Sequence, residues 1–159
     1  MGVSGSGKTT VGMALSNIIS VPFYDADSYH SEENIRKMRA GFPLTDEDRK
    51  NWLFTLSLKM KEWGLQGDAI LACSALKKHY RRELSRHVQT VFIFLDGEYD
   101  LIYQRLASRS AHFFRESMLK SQFSDLDRPE DCISVSIDQP VALVCSNIIE
   151  KIEKVMSAK

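Results

Sequence analysis

Apolar residues recur along the chain with two different spacings. Over residues 11–19 they fall three and four positions apart, which predicts a helix directly after a glycine-rich start. Short, compact apolar runs instead predict strands, and these lie at residues 21–24, 69–73, 90–95 and 132–137. Strands that alternate with helices are typical of an α/β protein with a parallel sheet.

Helical segments occupy the intervals between the predicted strands. Thr45 is a candidate N-cap for a helix that runs to about residue 63. A last helix begins near residue 141 and keeps its apolar residues on one face. The other predicted helices cover residues 31–40, 76–87, 99–108 and 116–123. We therefore expect one domain over residues 1–159.

Composition narrows the class of protein. The 21 lysine and arginine residues balance 21 aspartate and glutamate residues, which argues against a general nucleic-acid binder. The longest apolar runs have five residues, far short of the roughly 20 that a membrane helix needs. The three cysteines show no CxxC spacing and indicate buried thiols in a reducing compartment, so we expect a cytoplasmic protein.

Residues 2–9 read Gly-Val-Ser-Gly-Ser-Gly-Lys-Thr and match the phosphate-loop pattern G-x-x-x-x-G-K-[ST] in full. Glycines let backbone N–H groups converge on phosphate oxygens, and the helix that follows presents its positive N-terminus. Lys8 is expected to reach the β- and γ-phosphates, and the Thr9 hydroxyl to bind Mg²⁺. The predicted nucleotide-binding residues here are Gly2, Ser4, Gly5, Ser6, Gly7, Lys8, Thr9 and Thr10.

A phosphate loop normally follows a strand in the middle of the sheet. Only Met1 precedes Gly2 in this chain, so we expect that first strand to be truncated to a stub. The two strands beside it would then lose ladder hydrogen bonds.

Three classes of phosphate-loop protein compete at this point: small-molecule kinases, regulatory GTPases and motor-type ATPases. The chain has no Asn-Lys-x-Asp guanine motif. Asp96 ends an apolar strand and is a candidate Walker-B acid, which leaves a regulatory NTPase as an alternative. The small size of the chain favours a phosphotransferase.

Beyond the phosphate loop, several colinear segments resemble the gluconokinases of the small P-loop type, which are related to shikimate kinase. The segments are FYDADSYH, ENIRKM, PLTDEDR with the following Trp52, ACSALKKHYR, AHFF and SIDQP. The resemblance implies a three-layer α/β/α fold with a parallel sheet in the order 2-3-1-4-5. It also implies transfer of the ATP γ-phosphate to the 6-hydroxyl of D-gluconate with Mg²⁺, and a homodimer.

Acidic residues follow the predicted strand at residues 21–24, at Asp25 and Asp27, where ligands bind in open α/β sheets. Asp27 is our candidate to orient the acceptor hydroxyl and take its proton, as the resemblance also implies. Asp25 is a candidate for holding Mg²⁺, and His30 for contacting the sugar. The alternatives are turn-forming aspartates and a surface histidine.

Cations gather near the next two segments. Arg49 matches a carboxylate bidentately, and the resemblance places it at the sugar-acid site. Lys77 and Arg81 lie four apart on one helix face after a buried strand, with Ser74 before them. These four residues are predicted to bind the substrate, and the alternative is a solvated basic face. Acidic residues in the first turn after Thr45 are explained by the helix dipole.

Later in the chain, Arg105 and Arg109 lead into a segment that the resemblance identifies as a lid, near residues 108–124. We expect Arg105 to contact the nucleotide, Arg109 to close over the γ-phosphate and His112 to touch the substrate. The resemblance also implies that the loop with Asp138 lies beside the adenine. A last alternative is a non-catalytic form that binds only nucleotide or a partner.

Overall fold

The computed structural model describes residues 1–109 and 116–157. Its helices are α1 (Lys8–Ile19), α2 (Glu32–Arg39), α3 (Asp46–Gly64), α4 (Lys78–Leu84), α5 (Tyr99–Arg109), α6 (Glu116–Asp125) and α7 (Val141–Ser157). Its strands are β1 (Phe23–Asp25), β2 (Ile70–Ala72), β3 (Ile93–Asp96) and β4 (Ile133–Ser136). This order confirms the predicted alternation. The 3₁₀ turn Ala26–Tyr29 is the one described element that the sequence pattern did not predict.

The N-terminus of α3 confirms the predicted cap. The Thr45 hydroxyl accepts a hydrogen bond from the Asp48 backbone N–H at 3.3 Å, and the Asp48 carboxylate accepts from the Thr45 N–H at 2.6 Å. This capping box satisfies two donors that a helix start leaves free. Lys37 of α2 also donates to Asp48, and these bonds lower the pKa of that carboxyl to about 2.

The strands form two parallel pairs. β1 pairs with β2 so that Asp25 lies opposite Ala72, and β3 pairs with β4 so that Asp96 lies opposite Ser136. Both pairs are short, and they form one sheet only if a further segment of main chain lies between β2 and β3.

The main chain of Met1 and Gly2 lies between the two pairs. The Met1 carbonyl accepts from the Leu95 N–H at 2.9 Å, and the Gly2 N–H donates to the Ser74 carbonyl at 3.2 Å. Met1 and Gly2 therefore occupy the central place expected of the first strand and make part of its ladder. With β1 to β4 as the second to fifth strands, the order β1, β2, Met1 with Gly2, β3, β4 confirms 2-3-1-4-5.

Two apolar clusters cover opposite faces of this sheet. Ile70 packs against the first cluster, which includes residues of α1, α5, α6 and α7, whereas Leu71 packs against the second, which includes residues of α3 and α4. Neighbouring strand residues point to opposite faces, so the chain forms three layers. Among the helices at residues 1–109 and 116–157, none is long and apolar enough to cross a membrane.

Candidate active site

The phosphate loop takes a backbone path that requires glycine. Gly5 and Gly7 have φ values of 81° and 92°, in the left-handed region where other residues are strained. A Cβ on Gly5 would lie 2.7 Å from Leu106 Cγ, so the loop packs directly on α5. Gly7 is the N-cap of α1, which places the positive end of that helix at the end of the loop.

Lys8 begins α1, and its ammonium folds back over the loop. Its Nζ donates to the Val3 carbonyl at 3.1 Å. Burial lowers the pKa of this group, although the nearby Asp27 and Asp25 carboxylates oppose the effect. A partly desolvated cation on a neutral carbonyl favours an anionic ligand such as phosphate.

Thr9 and Asp25 come together at the carboxyl end of β1. The Thr9 hydroxyl donates to the Asp25 carboxylate at 3.1 Å, and the other Asp25 oxygen accepts from the Asp27 N–H at 3.0 Å. Hydroxyl and carboxylate oxygens are the hard ligands that Mg²⁺ prefers, so this pair fits the predicted metal position. In the described ranges no three His, Cys, Asp or Glu side chains gather as a metal cage.

Asp27 lies in the 3₁₀ turn that follows β1, and His30 directly follows that turn. The Asp27 side chain is 84% exposed, whereas the His30 side chain is 5% exposed, and 3.9 Å separates their nearest oxygen and nitrogen. His30 stacks on the Trp52 ring with centroids 4.3 Å apart, and Trp52 donates to the Ala26 carbonyl at 2.9 Å. Burial lowers the pKa of His30, which favours the neutral imidazole. Asp27 thus presents an accessible carboxylate on a rigid aromatic support.

Two predicted substrate cations meet at one aromatic ring. The Arg49 guanidinium lies 5.6 Å from the centroid of the Tyr80 ring, and the Lys77 ammonium lies 5.8 Å from it. Arg49 also donates to the Leu44 carbonyl at 2.5 Å and to the Tyr80 hydroxyl at 3.4 Å. The structure therefore brings Arg49 and Lys77 into one basic cluster.

Asp46 is the residue of this cluster that sequence reasoning missed. Its carboxylate accepts from Lys77 at 2.7 Å and from the Tyr80 hydroxyl, and His79 lies 3.4 Å away. These hydrogen bonds lower the pKa of Asp46 to about 2. The helix dipole alone does not explain Asp46. Its partners Lys77 and Tyr80 are more than 30 residues away in the chain, so no local sequence pattern could indicate them.

Arg81 points inward, unlike Lys77 on the same helix face. Its buried guanidinium donates to the carbonyls of Ala75 at 3.0 Å, Leu76 at 2.8 Å and Asp127 at 3.1 Å. It therefore fixes the loop after β2, in which the Ser74 carbonyl accepts from Gly2. Substrate binding by Arg81 and by the Ser74 side chain stays a prediction.

A cleft of about 290 Å³ opens beside the phosphate loop, between α1, α5 and the loop after β4. Its lining residues include Ser6, Gly7, Thr10, Arg105, Gln139 and Val141. Arg105 donates to the Ile137 carbonyl at 2.7 Å and so ties α5 to that loop. The cleft has the position expected for a nucleoside, and the predicted Asp138 is next to Gln139 in the same loop. His112 and the side chain of Arg109 lie outside the described residues.

Comparisons with known proteins agree with this geometry. The shikimate kinase family matches residues 4–152. The chain is 41% identical to a probable gluconokinase of Mus musculus over 96% of this chain and 95% of that protein. It is 41% identical to the thermoresistant gluconokinase of Escherichia coli (strain K12) over 97% and 91%. The crystal structure of a gluconokinase from Sinorhizobium meliloti 1021 superposes with a TM-score of 0.90, at 34% identity over 98% and 90%.

The chain belongs to the gluconokinase family, within the wider shikimate kinase family. The fold and the kinase class predicted from the sequence are thereby confirmed. The position of Asp96, the candidate Walker-B acid, agrees with membership of this kinase family and not with a regulatory NTPase. Its carboxylate pairs with Arg128 at 3.1 Å, whereas the carboxylate that meets Thr9 of the phosphate loop belongs to Asp25.

Proposed function

We propose that the chain transfers the γ-phosphate of ATP to the 6-hydroxyl of D-gluconate and releases ADP and 6-phospho-D-gluconate. The observation that carries this proposal is the hydrogen bond between Thr9 and Asp25. It joins the phosphate loop to the carboxylates after β1, so that a phosphate donor and an acceptor hydroxyl can meet there. The gluconokinase names of the related proteins supply the acceptor.

The nucleotide is held by the loop and α1. Backbone N–H groups of the loop bind the phosphates, and Lys8 exchanges the Val3 carbonyl for phosphate oxygens. Thr9 and Asp25 are the residues that would hold Mg²⁺, which neutralises phosphate charge when bound. The cleft lined by Arg105 and Gln139 receives the nucleoside.

Asp27 accepts the proton of the 6-hydroxyl as the hydroxyl oxygen attacks the γ-phosphorus. The bond to the ADP oxygen breaks as the new phosphate ester forms, so charge and atoms balance with one proton on Asp27. The neutral His30 ring beside Asp27 adds no competing cation at this point. Its stacking on Trp52 instead defines the wall against which the sugar chain rests.

The carboxylate of gluconate binds the cluster of Arg49, Lys77 and Tyr80. In the structure Lys77 is already paired with Asp46 at 2.7 Å and with Asp125 at 3.5 Å. The sugar acid therefore takes the place of a carboxylate of the chain. This exchange favours an anionic acceptor over a neutral sugar. A neutral sugar has no carboxylate to replace the one that Lys77 gives up.

Four parts of the proposal rest on the family resemblance: closure by Arg109, a contact from His112, a lid near 108–124 and a homodimer. A cytoplasmic location is likewise proposed from the composition. No contact in the described part of the chain favours a non-catalytic form.

Product identification tests the reaction. The purified chain with MgATP and D-gluconate should give a phosphomonoester at carbon 6, read by ³¹P and ¹³C NMR. D-Glucitol, which lacks the carboxylate, should give no product under the same conditions. Phosphorylation of glucitol at a similar rate, or no phosphorylation of gluconate by a folded chain, would overturn the proposal.

A further inference from the structure

Gln122 of α6 makes two hydrogen bonds to one residue of the phosphate loop. Its Oε1 accepts from the Ser4 backbone N–H at 2.6 Å, and its Nε2 donates to the Ser4 hydroxyl at 3.0 Å. The two residues are 118 positions apart in the chain. Both polar atoms of the amide are therefore used on a single exposed loop residue.

Ser4 is the part of the loop that most needs such support. Gly5 packs against Leu106 and Ile102 of α5, and Lys8 and Ser6 bond to the Val3 carbonyl. Ser4 lies between these anchored positions and is exposed. A flexible loop must be ordered before its N–H groups can converge on phosphate, and that ordering costs binding free energy.

Helix α6 is well placed to hold the loop. Leu119 is 2% exposed and packs in the first apolar cluster, so α6, which forms the last part of the proposed lid segment, rests against the core in this structure. Asp125, three residues after Gln122 on the same helix, lies 3.5 Å from Lys77. The helix therefore contacts the nucleotide side and the acid-binding side of the site at once.

We propose that Gln122 is a positioning residue for the nucleotide: it preorganises the phosphate loop through Ser4 and so strengthens binding of the triphosphate. The inference rests on the proposed function only in that the loop binds ATP. It does not depend on which hydroxyl is phosphorylated, so it is tested by nucleotide binding alone.

The test is calorimetric titration of the chain with AMPPNP and Mg²⁺ in the absence of any acceptor. Gln122→Met keeps the length of the side chain and removes both hydrogen bonds, so we expect Kd to rise about three- to tenfold. Gln122→Glu places a negative charge beside the loop, and its Kd should rise more than that of Gln122→Met. Gln104→Met on the exposed part of α5 is the matched control and should leave Kd unchanged.

A double-mutant cycle separates positioning from a general loss of structure. Ser4→Ala removes the hydroxyl that Gln122 contacts, so adding it to Gln122→Met should weaken binding less than the two single effects multiplied together. Thermal unfolding of each variant reports stability, and Gln122→Asn replaces any variant that does not fold. Unchanged Kd in both Gln122 variants, or multiplicative effects in the cycle, would overturn the proposal.

Discussion

Lys8 and Lys77 are both predicted to bind anions, but the structure prepares them in opposite ways. Lys8 contacts a neutral carbonyl, and burial lowers its pKa. Lys77 is paired with Asp46 and Asp125, and the hydrogen bond that Lys77 donates to Asp46 is the main cause that raises the pKa of Lys77. In the nucleotide half, the contact shown for the Lys8 ammonium is with a neutral carbonyl. In the acid-binding half, the Lys77 ammonium is already paired with carboxylates of the chain.

This contrast explains how the two halves differ in selectivity. Binding of phosphate at Lys8 replaces a weak partner with a strong one, so it should contribute greatly to affinity. Binding of a sugar carboxylate at Lys77 exchanges one carboxylate for another, so it should contribute little affinity and more discrimination.

The largest effect is expected from Lys8→Met. Removing the cation leaves the charge that develops on the transferred phosphate without its nearest stabilising group, so kcat should fall about 10²- to 10³-fold. Steady-state kinetics with MgATP measures it. Lys61→Met, at an exposed position of α3, should retain full activity. A Lys8→Met enzyme within threefold of the unmodified chain would contradict the assigned role.

Asp27→Asn should lower kcat about 10²-fold or more, because the amide cannot take the hydroxyl proton. Since Asp27 is not a phosphate ligand in this account, the KM for ATP should change little. Asp68→Asn in the exposed turn before β2 provides the control. A matched rise in the KM for ATP without loss of kcat would place Asp27 on the nucleotide instead.

Asp46→Asn tests the acid-binding half of the site, in which Asp46 pairs with Lys77. The amide still accepts from Tyr80 but holds Lys77 less strongly, so the KM for gluconate should fall about two- to fivefold. Glu47→Gln removes the same charge from the same helical turn without touching Lys77 and should leave that KM unchanged. If the KM rises on Asp46→Asn, Asp46 holds Lys77 in position and does not compete with the substrate.

The smallest effect concerns pH and His30. Burial lowers the pKa of His30 below its ordinary value of 6.5, so the unfolded chain binds a proton there more readily than the folded chain. The contribution of the neutral His30 to the free energy of unfolding is therefore fully present above pH 6.5. It is lost as the pH falls through and below that value. His30→Gln should flatten the dependence of Tm on pH in this window, whereas His87→Gln at an exposed position should not.

Local patterns were sufficient for the nucleotide half. The loop glycines and the helix that follows them depend on residues close in the chain, and both lie where they were predicted. The acid-binding half depends on long-range contacts. Sequence reasoning placed Arg49 and Lys77 at the site, but it could not foresee that Asp46 compensates Lys77, because that pairing requires α3 and α4 to pack together.

Arg81 illustrates the same limit from the other side. The spacing of four predicts that Lys77 and Arg81 share one helix face, yet the Arg81 guanidinium is buried on three backbone carbonyls. Helical spacing specifies which residues share a face but not how long side chains turn at its edge. The Ser4–Gln122 contact also escaped prediction, since neither residue type signals its partner.

The most direct test of the central claim is the rate of ADP formation by the purified chain with MgATP, measured with and without D-gluconate. Cooperative unfolding is confirmed first, so that the assay reports a folded protein. We expect rapid ADP formation that depends on gluconate, and almost none without it. ADP formation at the same rate without gluconate, or none from the folded chain with gluconate, would contradict it.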